Sequence, residues 1–400
     1  TSRNTRGRII SAAWKLFYEQ GYDNTTVDDI VEEICKPDKY FLIGEKGSGK
    51  TAYSVYMSKS DKINSFCSIS LVENTLYQRF LNMKRQKALE LSSFKDVWIN
   101  LIYLILAEKI RKEYGETFFS SIKYKQLSKA IDVFYSDAFK PEFVNAFEFV
   151  DNASASINSM MKQGLFSTGT KASAETSQKY VEQSFKISLL KIRDGFEKAF
   201  MSVNLKKPTI LFVDGIDARP RDIDNEQYFE CLVGLVNAVL EMNQSFLKEK
   251  QIKIMLLIRP DIMYKMPVHN MNQKLRNNSV LLNWVTSRKY IDSKLFKIAD
   301  DYFMKQQDYS YELGECWNYY FPYKVEYQEK WKAPDNPFVE FLRYSLYKPR
   351  DILTMLNEMV DATSGMQFKH SDFEGILSNY STYLKGELKD YMLIYMDDSD

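Results

Sequence analysis

The chain has 400 residues, enough for an α/β core carrying helical additions. Its 54 Lys and Arg offset 53 Asp and Glu, so no whole-chain field would hold nucleic acid or an anionic membrane, and any such partner needs a local patch. Four scattered cysteines (Cys35, Cys67, Cys231, Cys316) form no CxxC pair and only His269 and His370 are present, which disfavours zinc centres, disulfide scaffolds and histidine-based catalysis; the cysteines are expected as buried thiols.

In chain order, Ile9, Ala12, Ala13, Leu16 and Phe17 follow helical spacing, and Gly21 supplies a stop. Thr25 or Thr26 can cap a second short helix, TVDDIVEE, whose Asp28 and Asp29 suit a first turn and which stops before Pro37. Polar first residues show no signal peptide, which predicts a cytoplasmic protein, and the absence of an initiator Met points to trimming. Lys39 to Ile43 is an apolar run leading into glycines, predicting a buried strand, a loop, and a helix from about Lys50. Phe66 to Leu71 is a second strand candidate. From there to Lys206 the patterns are mostly helical, through TLYQRFLNM, SFKDVWINLIYLILAEKI and SFKISLLKIRDGFEKAF, with a small polar loop or surface linker at Ser167 to Ser177. Within this stretch the most apolar run, Val97 to Leu106, falls well short of the roughly 20 residues of a spanning helix and predicts a core helix, with no membrane partner.

Pro208 to Asp214 and Ile252 to Ile258 have the texture of central parallel strands, separated by the helical YFECLVGLVNAVLEM. After Val280 to Trp284 come a helix over SRKYIDSKLFKIADDYF, an aromatic loop CWNYYFPY, and helices at NPFVEFLRYSLY, DILTMLNEMV and from about Phe373. The predicted fold is α/β: a short N-terminal helical module at 1–34, a parallel-sheet core at 35–285 with a helical insertion at about 73–205, and a helical lid or bundle at 286–400.

GEKGSGKT at 44–51 satisfies GxxxxGK(S/T) in full and lies between a strand and a helix, the context a P-loop requires. Gly44, Gly47 and Gly49, with Glu45, Lys46 and Ser48 between them, allow backbone amides to curl around a β-phosphate at a helix N-terminus. Lys50 then neutralises β- and γ-oxygens, and the Thr51 hydroxyl ligates Mg2+. ILFVDGID at 210–217 ends a hydrophobic strand in Asp214, the expected second holder of magnesium. Many ATPases place a glutamate after that aspartate. This chain has Gly215, which leaves Asp217 as candidate base, although DGID equally suits a turn or helix cap. Arg259 follows the strand IMLLI and Arg350 in YKPRDI opens a helix; each suits either a phosphate contact or an ordinary salt bridge, and Arg219 and Arg221 are candidates for fingers in trans. NKxD, LSGGQ-like and helicase motif sets are absent, so ATP is the expected nucleotide.

GEKGSGKT, ILFVDGID, LLIRPDI and KPRDI, in this order over roughly residues 39–355, resemble the bacterial P-loop ATPases related to the STAND, NACHT and KAP groups of AAA-like proteins. The resemblance implies a nucleotide-controlled switch in signalling or anti-phage defence that works as a homo-oligomer or with an effector partner. Ala218 stands where the NACHT pattern has an acidic residue, which leaves a nucleotide-bound scaffold with little hydrolysis as an alternative.

Residues 1–34 are similar to the start of a TetR-family DNA-binding domain: AAxxLF in the first helix, a Gly-Tyr turn, then TTVxxI opening the second. That implies a nucleotide-sensing transcription regulator as a further alternative. The recognition helix of that family should come next, yet ICKPD leads directly into the P-loop strand, and acidic residues outnumber basic ones over 1–34. The segment is therefore either a degenerate docking or dimerisation arm, or the remnant of a longer parent lacking the intervening stretch.

Overall fold

The structure, a computed structural model, describes residues 26–72, 94–119, 124–138, 189–216, 225–266, 277–284, 289–308, 311–326 and 333–392. The first predicted helix, the segment TLYQRFLNM and the polar stretch Ser167 to Ser177 lie outside the described residues. The elements in chain order begin with α1 (Thr26–Cys35), β1 (Phe41–Ile43), α2 (Lys50–Lys59), β2 (Phe66–Leu71), α3 (Phe94–Phe119), α4 (Lys125–Ala138) and α5 (189–202). They continue with β3 (Thr209–Asp214), α6 (Asn225–Asn243), β4 (Ile252–Ile258), α7 (Pro260–Lys265) and β5 (Ser279–Leu281). A 3-10 turn, Tyr290–Asp292, precedes α8 (Lys294–Met304), α9 (Glu315–Tyr320), α10 (Phe338–Tyr344), α11 (Pro349–Ala362) and α12 (His370–Met392).

The strands form one five-stranded parallel sheet in the order β2-β3-β4-β1-β5. Register sets Phe66 opposite Thr209 and Leu71 opposite Asp214, and Thr209 opposite Ile252. Every residue of β3 and β4 is buried, which explains their unbroken apolar runs: a central strand covered on both faces has no solvent side to make polar. None of the described helices is long and apolar enough to cross a membrane.

Two compact units divide the chain. One comprises Thr1–Ile34, Ile43–Tyr56 and Val280–Asp400, the other Cys35–Leu42 and Met57–Ser279. In the second unit α3 is buried on all sides from Val97 to Leu106, the core helix that this run predicted. Its Trp98 Nε1 donates to the Cys231 carbonyl of α6 at 3.1 Å, and Tyr103 stacks on Phe200 of α5 at 5.6 Å. Asn243, at the end of α6, completes the contact with the sheet by donating to the Ile254 carbonyl and accepting from the Ile254 amide, each at 2.8 Å.

The first unit holds the C-terminal helices around Trp317, whose ring stacks on Phe321 at 4.1 Å and meets Phe338 and Phe341 edge-on. CWNYYFPY, expected as a loop, is helical as far as Tyr320. The cause is long-range: the buried Asp300 carboxylate accepts from the Gly314 amide at 2.7 Å and the Trp317 amide at 2.8 Å, satisfying amide donors at the start of α9. Burial raises the Asp300 carboxyl above the ordinary aspartate range, opposed by those two bonds. All four cysteines are free, but Cys35, expected to be buried, is exposed at the C-terminal end of α1, while Cys67, Cys231 and Cys316 are buried.

Candidate functional site

In the first unit the chain leaves Ile43 through Gly44 and turns through the loop into α2 at Lys50. Gly47 and Gly49 have φ of 85° and 98°, left-handed values that an L side chain adopts only under strain, and they let the loop fold back toward the helix start. Lys50 is buried, and its Nζ donates to the Gly44 carbonyl at 2.7 Å and the Glu45 carbonyl at 3.3 Å, so the ammonium lies within the loop's own curve. Thr51, next on α2, is exposed. Ser48 is buried with its Oγ unpartnered, and its carbonyl accepts from Trp284 Nε1 at 2.9 Å. A concave backbone loop, a lysine held inside it and an exposed hydroxyl after it together fit the phosphates and Mg2+ of a nucleotide.

The C-terminal helices reach the same loop. At the start of α11 the Arg350 amide donates to the Gly47 carbonyl at 3.4 Å. A Cβ at Gly47 would lie 3.2 Å from Arg350 Cβ and 3.5 Å from its Nε, so the arginine stem lies across this glycine. Arg350 Nη1 pairs with Glu387 of α12 at 3.4 Å. Lys46 Nζ pairs with Glu387 at 3.0 Å and Asp390 at 2.7 Å, the Tyr391 hydroxyl donates to the Glu45 carboxylate, and Lys348 Nζ lies 5.4 Å over the Tyr391 ring. The buried Asp351, beside Arg350, accepts from the Leu346 amide at 2.8 Å and from the Tyr383 hydroxyl of α12 at 3.1 Å. Burial raises the Asp351 carboxyl, and burial together with the Asp351 and Glu387 charges raises the Tyr383 phenol.

In the second unit Asp214 ends β3 in a buried position. Its Oδ1 accepts from the Gly215 amide at 2.7 Å, and its carbonyl accepts from the Val72 amide at 2.7 Å. Gly215 has φ 87°, and a Cβ there would come within 2.9 Å of the Val72 carbonyl oxygen, so the position excludes the glutamate that many ATPases carry. Arg259 lies just beyond β4, buried, with Nε and Nη2 donating to both oxygens of the equally buried Asp261 at 3.0 and 2.6 Å. Asp217, Arg219 and Arg221 lie outside the described residues.

The structure thus brings Gly44 to Thr51 and Arg350 together within one unit, and sets Asp214 and Arg259 at the ends of β3 and β4 within the other. Sequence reasoning missed Trp284, Glu387, Asp390 and Tyr391. The last three share one helix face at i, i+3 and i+4, a spacing visible in the sequence, but nothing local to them indicates a loop some 340 positions earlier.

Residues 9–34 match the family model for bacterial regulatory proteins of the tetR family. No curated protein and no solved structure matches the chain. Within the matched stretch α1 is helical, as predicted, with Ile30 and Ile34 buried. Residues 36–40 then form a turn, and β1 starts at Phe41, so the recognition helix that the resemblance called for next does not follow α1.

Proposed function

We propose that the chain is a nucleotide-controlled switch that binds ATP with Mg2+ on the Gly44–Thr51 loop and reads the nucleotide through its C-terminal helices. The observation that carries this reading is Arg350 lying across Gly47: a cation from the helical bundle is set on the loop that would cradle the phosphates. Loop amides take the β-phosphate and Lys50 turns from the loop carbonyls to the β- and γ-oxygens. Thr51 would supply an oxygen ligand to magnesium, whose charge would screen the phosphates, and the place of Asp214 in the sequence motif makes it the candidate for a second ligand. The sequence resemblance to STAND, NACHT and KAP-related ATPases agrees with a switch that assembles with copies of itself or with an effector. On this reading the protein is cytoplasmic, where ATP and magnesium are abundant and free thiols stay reduced.

Turnover is expected to be slow. Gly215 carries no carboxylate, and Arg259 is paired with Asp261, so Asp217 is left to orient water and Arg259 to sense the γ-phosphate only by leaving its partner.

The experiment is equilibrium titration with a fluorescent ATP analogue and magnesium, with solution mass measured in parallel. Lys50→Ala removes a charge-assisted contact of about 1.5–3 kcal/mol and should weaken binding by about 10- to 100-fold. Equal affinity of wild type and variant would sink the reading.

The tetR-family match supports a second reading, a DNA-binding module at the N-terminus. It predicts duplex binding whose affinity falls steeply with salt. Salt-independent or undetectable binding leaves the segment as a protein-docking arm.

A further inference from the structure

The far end of α12 holds the Gly44–Thr51 loop through acidic side chains with which a triphosphate would compete for Lys46 and Arg350. Glu387, Asp390 and Tyr391 occupy one face of the helix, and all three reach the loop or its arginine. Lys46 is shared by two carboxylates, at 3.0 and 2.7 Å, and Arg350, whose stem covers Gly47, extends its guanidinium to Glu387 at 3.4 Å. Lys348, one turn-residue away from Arg350 across Pro349, lies over the Tyr391 ring. Two carboxylates therefore neutralise two cations of the loop region, Glu387 pairing with both Lys46 and Arg350 and Asp390 with Lys46.

Resting on the ATP reading above, we propose that the end of α12 is a latch on the nucleotide site: Glu387, Asp390 and Tyr391 grip Glu45, Lys46 and Arg350, and a nucleoside triphosphate loosens the grip by drawing Arg350 to its terminal phosphate and repelling the two carboxylates. The grip suits release. Its Asp390 side chain is 58% exposed and its Arg350 side chain 32% exposed, and ion pairs so placed are individually weak, so a multiply charged ligand overcomes them. The rest of α12 is better anchored: Phe373, Ile376 and Tyr380 are buried, and Tyr383 holds Asp351 of α11. Loosening is therefore confined to the segment after Tyr383, and the switch output is exposure of that segment rather than loss of the bundle. ADP, lacking the phosphate that takes Arg350, should loosen the latch less.

The test is hydrogen exchange of residues 384–392 in the full chain, alone, with ADP and with a non-hydrolysable ATP analogue plus magnesium, alongside binding titrations. The wild type should exchange faster in this segment with the ATP analogue than with ADP or alone. Glu387→Gln combined with Asp390→Asn should show fast exchange without nucleotide and bind the ATP analogue about three- to tenfold more tightly, because a latch closed most of the time lowers apparent affinity by the open fraction. Circular dichroism and the unfolding midpoint check that the double variant folds. Should it not, Tyr391→Phe, which keeps the ring under Lys348 and loses only the hydroxyl to Glu45, should shift exchange in the same direction by less. If the ATP analogue binds in a Lys50-dependent way yet exchange of 384–392 is unchanged or slower, the latch is refuted and the nucleotide site stands. If no nucleotide binds, both fall.

Discussion

Gly215→Ala offers a quantitative check on why this chain lacks a glutamate after Asp214. The residue has φ 87°, where an L side chain costs about 1–2 kcal/mol. Its Cβ would also sit 2.9 Å from the Val72 carbonyl oxygen, a backbone atom next to the amide that bonds the Asp214 carbonyl at 2.7 Å, so relief requires the end of β2 to move. Forcing a methyl into a packed site costs about 1–3 kcal/mol, and the reduced freedom of the unfolded chain returns about 0.4–1 kcal/mol. The net expectation is a loss of about 1–5 kcal/mol, a sizeable share of the roughly 5–15 kcal/mol that holds a domain. Urea unfolding should show a lower midpoint with an unchanged slope. Gly215→Glu should be at least as destabilised and gain no phosphate release, since the carboxylate arrives only with the local strand pairing disturbed. A Gly215→Ala variant within about 0.5 kcal/mol of wild type would refute the steric argument, and the missing glutamate would then need another explanation.

Two other buried groups give predictions of their own. Burial lowers Lys253 from the ordinary lysine value of 10.5 to about 8, opposed by the charges of Cys35, Cys67 and Asp38. A lysine lowered in the folded state binds its proton more weakly there than when unfolded, so its contribution to stability rises with pH from about 8 upward. Cys67, pushed up to about 12 chiefly by burial, acts oppositely above the ordinary thiol value of 9.0, which leaves pH 8 to 9 as the clean window. Unfolding midpoints should rise across it in wild type and stay flat in Lys253→Met; parallel curves would refute the assignment. Asp261→Asn removes the carboxylate from the buried Arg259 and should cost about 3–5 kcal/mol, with Arg259→Met in the same chain recovering part of it; a neutral single variant in denaturant titration would show that the pair carries little.

The legible parts of this fold are those whose signal is local. β2 and β4 have the bounds their apolar runs indicated, and α2 starts at Lys50, because a buried parallel strand followed by glycines leaves few other conformations. The positive φ of Gly47 and Gly49 follows from the same motif. α9 was not legible: with aromatic residues on every side, its sequence has no helical period, and its start is capped by Asp300 from another helix. Arg350 could be singled out by its place in KPRDI, whereas the Glu387 carboxylate that pairs with it belongs to an ordinary-looking charged helix end. For Gly215 the sequence showed only that a glutamate was missing; the reason lies in Val72, on the far side of the helical insertion.

The N-terminal match poses the remaining question of what a TetR-like fragment does beside such a core. Reading a major groove requires a third helix presented by the first two. Here the residues after α1 are committed elsewhere. The Lys36 carbonyl accepts from Lys253 Nζ at 2.8 Å, the Asp38 carbonyl from Asn278 Nδ2 at 2.7 Å, and Lys39 Nζ donates to the Asn277 carbonyl at 2.9 Å. A turn bonded to β4 and to the approach of β5 has no slack from which to build a recognition helix, and lengthening it would leave these partners unsatisfied. The buried Ile30 and Ile34 show that α1 spends its apolar face on packing. With that face taken up by packing and the following turn bonded into the sheet, the described part of the matched stretch ends in α1 and offers no third helix to a major groove.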